Sequence, residues 1–181
     1  MAEQPTRAWY ATLRHLWLDE RDARRAVPPA LAERLRERVA ASERRHSGQL
    51  RICVEGGLPP SYLWRHLRWR VPMPKLVHQR ALMLFSRLHV WDTEHNNGVL
   101  IYLLLAERRI ELVADRAVAR RVDAQAWSAL VRDLGEALHH GRFEQGLLQA
   151  VDGVTELLAP HFRPADDGPR PNELPDEPVL R

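Results

Sequence analysis

The chain has 181 residues, of which 45% are hydrophobic and 28% charged, and its formal net charge is +3 at pH 7. These proportions belong to a folded globular chain and exclude a disordered or fibrous one. The charge excess is small and its arginines are interleaved with acids (Glu33, Arg34, Arg36, Glu37, Arg38), which excludes the one-signed footprint of a nucleic-acid binder.

The opening Met-Ala-Glu-Gln-Pro-Thr-Arg is polar and leads into Arg14, His15, Asp19 and Glu20, so no export signal is expected. Residues 1–27 read as a helical arm, with Trp9, Leu13, Leu16 and Trp17 at helical spacing ahead of a highly charged run. Pro28 and Pro29 mark a helix start, since proline's missing N–H has no partner in a first turn anyway. The helix is predicted to run to about residue 46 on a stripe of Leu31, Leu35 and Val39, with Ser47-Gly48 as the stop. Residues 49–55 alternate, Leu50, Ile52 and Val54 against Arg51, Cys53 and Glu55, and read as a strand. Gly56-Gly57 and Pro59-Pro60 end it. No element is assigned to residues 61–74, where Tyr62, Trp64, Trp69 and several arginines crowd between proline pairs; an insertion is expected there.

Residues 75–90 return to helical spacing through Leu76, Ala81, Leu84, Phe85 and Leu88. The polar turn Trp91-Asp-Thr-Glu-His-Asn-Asn-Gly98 follows, then Val-Leu-Ile-Tyr-Leu-Leu-Leu, a continuous apolar run that predicts a strand covered on both faces. This run is the longest in the chain and far short of the roughly 20 residues needed to span a bilayer as a helix. Glu107-Arg108 form a turn and residues 109–114 an antiparallel partner strand. Asp123 is placed to cap a helix to about residue 140, carrying Trp127, Leu130, Val131, Leu134 and Leu138 on its inner side, and Gly141 ends it. A last helix, about 143–158, ends before Pro160.

The order strand, helix, strand, strand predicts an α/β fold: three layers, helix/sheet/helix, around a small mixed β-sheet made of a βαβ unit plus an antiparallel hairpin. The domain is expected over residues 28–162, with 163–181 a proline-rich mobile tail. The lone cysteine, Cys53, forms no internal disulfide and points to a reducing, cytoplasmic setting.

Chemistry concentrates at one sheet edge. If Leu105 and Ile110 flank the hairpin turn, Asp115 falls opposite Leu100, and the turn 92–97 meets Asp115-Arg116. Asp92, Glu94, Asn96, Asn97 and Asp115 then supply carboxylate and amide oxygens of the kind that bind Ca²⁺ or Mg²⁺, with His95 in the same turn. Arg116 adds a guanidinium suited to phosphate, and Asp92, Asp115 and Arg116 are the candidates for catalysis. The same residues equally suit plain structural work: Asn-Asn-Gly as a turn, Asp92 and Thr93 as caps, Asp115-Arg116 as a surface ion pair. Elsewhere the signals are weaker. Gly56-Gly57 lacks the spacing of a phosphate loop, and the adjacent His139-His140 diverge on a helix. Cys53 lies in a core strand, while Trp9, Trp17, Trp64 and Trp69 serve either a core or a partner surface.

Residues 81–114, ALMLFSRLHVWDTEHNNGVLIYLLLAERRIELVA, resemble the signature of the TPM domain family. Phe143-Glu-Gln-Gly146-Leu147 is similar to that family's aromatic-x-x-Gly-Leu element, and the resemblance spans about residues 31–160. The family includes a thylakoid lumen acid phosphatase, a photosystem repair factor and an auxiliary protein of a nematode acetylcholine receptor. The resemblance implies a mixed sheet flanked by helices, and a polar edge beside Asn97-Gly98 where some members bind a divalent cation or act weakly on phosphate esters. Asp92, Asn97 and Asp115 are the positions it carries over. The glycine-rich stretch that follows the second strand in exported members reads here Ala114-Asp115-Arg116-Ala117-Val118, a departure that points to the bacterial cytoplasmic branch. The expected function is a protein-interaction or divalent-metal-binding module with a protein partner, one associated with a membrane included; the alternative is a weak metal-assisted acid phosphatase. Neither nucleic acid nor a transmembrane segment is expected.

Overall fold

A computed structural model describes residues 13–164 and 172–181. Part of the predicted arm, residues 1–12 with Trp9, lies outside the described residues. Residues 13–17 are helical, and α1 (Glu20–Ala26) follows. Asp19 starts α1 through a reciprocal capping box with Asp22, accepting from Arg21 N at 2.7 Å. Next come α2 (Pro29–Glu43), β1 (Gln49–Glu55), α3 (Pro60–Trp69), α4 (Met73–Arg87) and β2 (Gly98–Leu104). A 3₁₀ turn (Leu105–Glu107) leads to β3 (Arg109–Ala114), α5 (Arg116–Arg121), α6 (Ala124–His139), α7 (Phe143–Leu158) and β4 (Val179–Leu180).

The four strands form one mixed sheet in the order β3-β2-β1-β4. β1 runs parallel to β2 and to β4, and β2 antiparallel to β3. The predicted alternation in β1 is realised. Leu50, Ile52 and Val54 join Val99, Ile101 and Leu103 beneath α1, α2, α6 and α7, whereas Cys53 joins Leu100, Tyr102 and Leu104 beneath α3 and α4. The three layers expected from the sequence are therefore present. Burial pushes the Cys53 thiol up to about 12, so it serves as a small core group.

Three expectations need correction. Residues 61–74 are no irregular insertion but α3 and the start of α4; each proline cluster opens a helix, with Pro60 and Pro74 in first turns. The hairpin register differs by two residues from the expected one: Leu103 pairs with Ile110 and Leu100 with Val113, so Asp115 N reaches Gly98 O at 2.9 Å. The cause is a longer connection, in which residues 105–107 form the 3₁₀ turn and Arg108 takes a left-handed φ of 46°. Finally, the segment expected as a mobile tail holds β4. Gln49 Oε1 accepts from Glu173 N and Leu174 N at 3.0 and 3.1 Å, Arg51 donates to the carbonyls of Pro175 and Glu177, and Arg181 and Val54 bond at 2.9 Å. These bonds satisfy the outer edge of β1.

Two features of the packing carry charge. The Glu55 carboxylate, inside the α3/α4 layer, is held by Arg80 Nε at 2.9 Å, by Arg80 Nη2 and by the Tyr102 hydroxyl at 2.7 Å. All three residues are buried, and Tyr62 lies over the guanidinium at 5.7 Å. Burial and the neighbouring Glu55 push the Tyr102 phenol well above its ordinary value, so it stays a donor. The second is Glu43, which accepts from Leu50 N at 2.8 Å. Burial pushes its pKa up to about 8 against that backbone bond, aided by Asp176 and Glu173 of the C-terminal segment.

Arg80→Met strands a buried carboxylate and is expected to cost about 3–5 kcal/mol in urea unfolding; the double variant Glu55→Gln/Arg80→Met should lose less than the single. Equal losses would mean the two side chains act independently. For Glu43 the folded state holds its proton more tightly than the unfolded chain, whose carboxyl titrates near 4.5. Its contribution to stability is therefore complete below pH 4.5 and lost as pH rises through about 8. Glu43→Gln should flatten the fall of the urea midpoint across that window, and an unaltered slope would contradict the assignment.

Candidate functional site

The polar edge forms where α4 hands over to β2. The chain leaves α4 through a left-handed His89 (φ 55°), with Val90 N closing on Phe85 O at 3.0 Å, a Schellman-type end. Val90 then turns inward as a buried residue and rests its carbonyl on Gly98: a Cβ at Gly98 would lie 2.0 Å from Val90 O. Only glycine admits that approach. Between these two points the turn 91–97 is pinned by Thr93, whose hydroxyl accepts from Asn97 N at 3.1 Å and whose carbonyl accepts from Asn96 N. Asn96 adopts a φ of 51°, a conformation its side chain tolerates better than most.

The structure brings together Asn96, Asn97, Asp115 and Arg116. Ala117 N donates to Asn96 O at 3.0 Å, and Arg116 Nη2 donates to Asn96 Oδ1 at 2.5 Å. Asp115 is the N-cap of α5, its Oδ1 accepting from Arg116 N at 2.6 Å, and the Arg116 guanidinium stands 3.7 Å from the same carboxylate. Asn97, 1% exposed, donates through Nδ2 to Ser47 O at 2.8 Å, just ahead of β1. Asp115 is 6% exposed. Asn97 Oδ1 and Asp115 Oδ2 are both buried and accept no hydrogen bond among the described residues. Asn97 Nδ2 thus bonds on the β1 side of β2, and Asp115 N bonds Gly98 O on its β3 side.

The remaining predicted ligands are not gathered in. Asp92 is exposed, and its backbone N–H is tied to His89 O at 2.9 Å. Glu94 is also exposed; its backbone N–H binds Glu173 Oε2 at 2.8 Å, which links the turn to the C-terminal segment. His95 is exposed as well. Among the described residues no three His, Cys, Asp or Glu side chains stand close enough to cage a metal. The turn and capping roles open to these residues in the sequence are thus partly realised, by Thr93, Asn96 and Asp115.

Two polar constellations escaped the sequence reading. One is Glu55-Arg80-Tyr102; its available signal was an arginine inside the apolar stripe of α4, beside Val77, Ala81 and Leu84. The other is buried His15, whose Nδ1 accepts from Leu58 N at 3.1 Å and whose Nε2 therefore donates to Glu107 at 3.0 Å. Burial alone would raise the Glu107 carboxyl, but the hydrogen bond from His15 and the charge and hydrogen bond of Arg14 hold it below the usual carboxylate range. No tight sequence spacing announces this pair, since it joins the arm to the hairpin turn. Both groups are fully engaged with protein partners and present no open coordination or reaction site.

The family model described as the TPM domain matches residues 21–157. The fold is similar to that of the BA42 protein of the psychrophilic bacterium Bizionia argentinensis, an NMR structure with 21% sequence identity and a TM-score of 0.69 over 84% of this chain and 94% of that one. The N-terminal domain of a protein from P. gingivalis, also solved by NMR, aligns with 18% identity and a TM-score of 0.56 over 74% of this chain and 77% of that one. No curated protein matches the chain. At these identities the solved structures speak to fold alone.

The contact between Val90 O and Gly98 is the support on which the polar edge rests. Gly98→Ala is expected to lower stability by roughly 3 kcal/mol or more, because the clash is with backbone that has no rotamer to yield. A thermal midpoint equal to wild type would show that the α4 exit is soft.

Proposed function

The chain belongs to the TPM domain family, and on that premise we propose that it is a binding module whose polar sheet edge takes a divalent cation of the Ca²⁺ or Mg²⁺ type. The supporting observation is the pair of buried oxygens, Asp115 Oδ2 and Asn97 Oδ1, left without hydrogen-bond donors among the described residues. A buried carboxylate oxygen left bare is costly, and a cation bound directly at the start of β2 would satisfy it. Both atoms are hard donors of the kind Ca²⁺ and Mg²⁺ prefer. One buried carboxylate gives little ligand charge, so the affinity belongs with weak sites, with a Kd of about 10⁻⁴–10⁻³ M. Asp92 and Glu94, exposed on the adjoining turn, add negative charge nearby.

The alternative, a weak metal-assisted acid phosphatase, is supported by the largely exposed guanidinium of Arg116 beside Asp115. It places Asp92 and Asp115 on the cation and Arg116 on the phosphate. It ranks second because Asp92 stands exposed on the turn whereas Asp115 is buried as the cap of α5.

A ligand that binds only the folded chain raises its stability by RT ln(1 + [L]/Kd), about 1.4 kcal/mol at tenfold Kd. For a chain of this length that is a rise in melting temperature of roughly 3–6 °C. Ca²⁺ or Mg²⁺ at millimolar levels should produce it, and Asp115→Asn, which keeps the cap acceptor but removes the charge, should abolish it. An identical melting temperature in cation and in chelator would refute the cation reading. Hydrolysis of a generic phosphate ester at equal rates by wild type and Asp115→Asn would refute the phosphatase.

A further inference from the structure

The outward face of α3 is the least explained surface of the molecule. The helix spans ten residues, Pro60–Trp69, and anchors itself through buried Leu63. Trp64, Leu67 and Arg68 share its outer side at i, i+3 and i+4, and Trp69 meets Trp64 edge-to-face at 4.7 Å. Trp64 is 54%, Leu67 45% and Trp69 58% exposed. Two tryptophans and a leucine in water, on a helix this short, form an unusual apolar patch.

The charge along this stretch of the chain has one sign. From Gly56 to Trp91 the chain contains six Lys or Arg residues and no Asp or Glu. Of the six, Arg80 is the buried partner of Glu55, and Arg65 binds the neutral amide of Gln79. Arg68, Arg70 and Lys75 are exposed and make no ion pair among the described residues, whereas α1 and α2 pair arginines such as Arg24, Arg36 and Arg38 with acids. Apolar tips amid unneutralised cations are the two halves of an interfacial membrane anchor. Indole rings favour the headgroup boundary, arginine stems lie along apolar surface with their charge at phosphate level, and anionic lipid attracts the rest.

We propose that the α3 face, through Trp64, Leu67, Trp69, Arg68, Arg70 and Lys75, docks the protein peripherally onto an anionic phospholipid bilayer. The helix lies in the plane of the interface; among the described residues no helix is long and apolar enough to cross it. A nucleic acid fits less well. Its bases stack on open ring faces set along a groove, while these two indoles are spent partly on each other and the helix face projects outward. An acidic protein partner is distinguished by the test below.

The test uses the full chain and large vesicles, either phosphatidylcholine alone or phosphatidylcholine with phosphatidylglycerol at roughly 2:1. A chelator is present throughout, so that the outcome is separate from the cation site. Co-sedimentation is expected with the anionic vesicles and not the neutral ones, and should fall at least about tenfold between low and high salt. Trp64→Ser/Trp69→Ser should abolish it with an unchanged melting temperature, since neither side chain is buried. Arg68→Glu/Arg70→Glu should abolish it as well, while Arg34→Glu, on the opposite side of the sheet, should leave it intact. No sedimentation with anionic vesicles, or equal binding by the α3 variants, overturns the proposal. So does α3-dependent self-association, or retention of single-stranded DNA or an acidic protein, without vesicle binding.

Discussion

β2 has no side that faces water. All seven of its residues are buried, its backbone is bonded to β1 on one edge and β3 on the other, and its side chains alternate into two separate apolar layers. A strand of this kind exists only if helices close over both faces, and the chain order follows from that need. α3 and α4 cross over one face between β1 and β2, while α1, α2, α6 and α7 cover the other. The single polar side-chain atom of β2, the Tyr102 hydroxyl, imposes a further requirement. It needs a buried acceptor, Glu55 supplies it, and the charge of Glu55 in turn demands Arg80. A three-membered network thus follows from one tyrosine in an otherwise apolar strand.

The polar chemistry gathers where that strand begins. Gly98 is fixed by the approach of Val90, and the residues that lead into it, Thr93 to Asn97, are turn formers and caps. Those residue types carry oxygens, and two of the oxygens end up buried without donors. The other end of the sheet is treated differently: His15, Glu107, Glu55 and Arg80 are buried or half-buried there, yet each is paired with protein. Among the described residues the unspent side-chain acceptors of Asn97 and Asp115 thus lie at the end where β2 begins. Fold alone would not have separated the two ends.

Much of this was visible in the residue order. The β1 alternation, the apolar run of β2, the limits of β3 and the stripes of α2, α4, α6 and α7 come directly from periodicity, because each segment buries one face or both. Proline misled at 61–74, since it opens helices as readily as it interrupts them. The hairpin register was displaced by two residues because Arg108, not glycine or asparagine, occupies the left-handed position, leaving the longer turn unmarked. Within the site, Asn97 and Asp115 were identifiable from residue type and family likeness. Asp92 and Glu94, grouped with them in the sequence, stand exposed on the turn instead, because turn geometry, invisible in one dimension, decides which carboxylates face inward. The C-terminal segment was unreadable for a related reason: its ties are side chains of Gln49 and Arg51 reaching distant backbone.

That segment has a bearing on how the chain is made. β1 is complete once residue 55 has been synthesised, but the strip that seals its free edge is assembled from residues 173–181, after the other described elements. Throughout translation of the intervening stretch, an apolar strand stands with unpaired amides and carbonyls on one flank. Nascent chains of this protein, and fragments ending before Val179, present to each other the surface on which strands polymerise. The closing segment thus covers a strand edge that would otherwise be open to pairing with another chain.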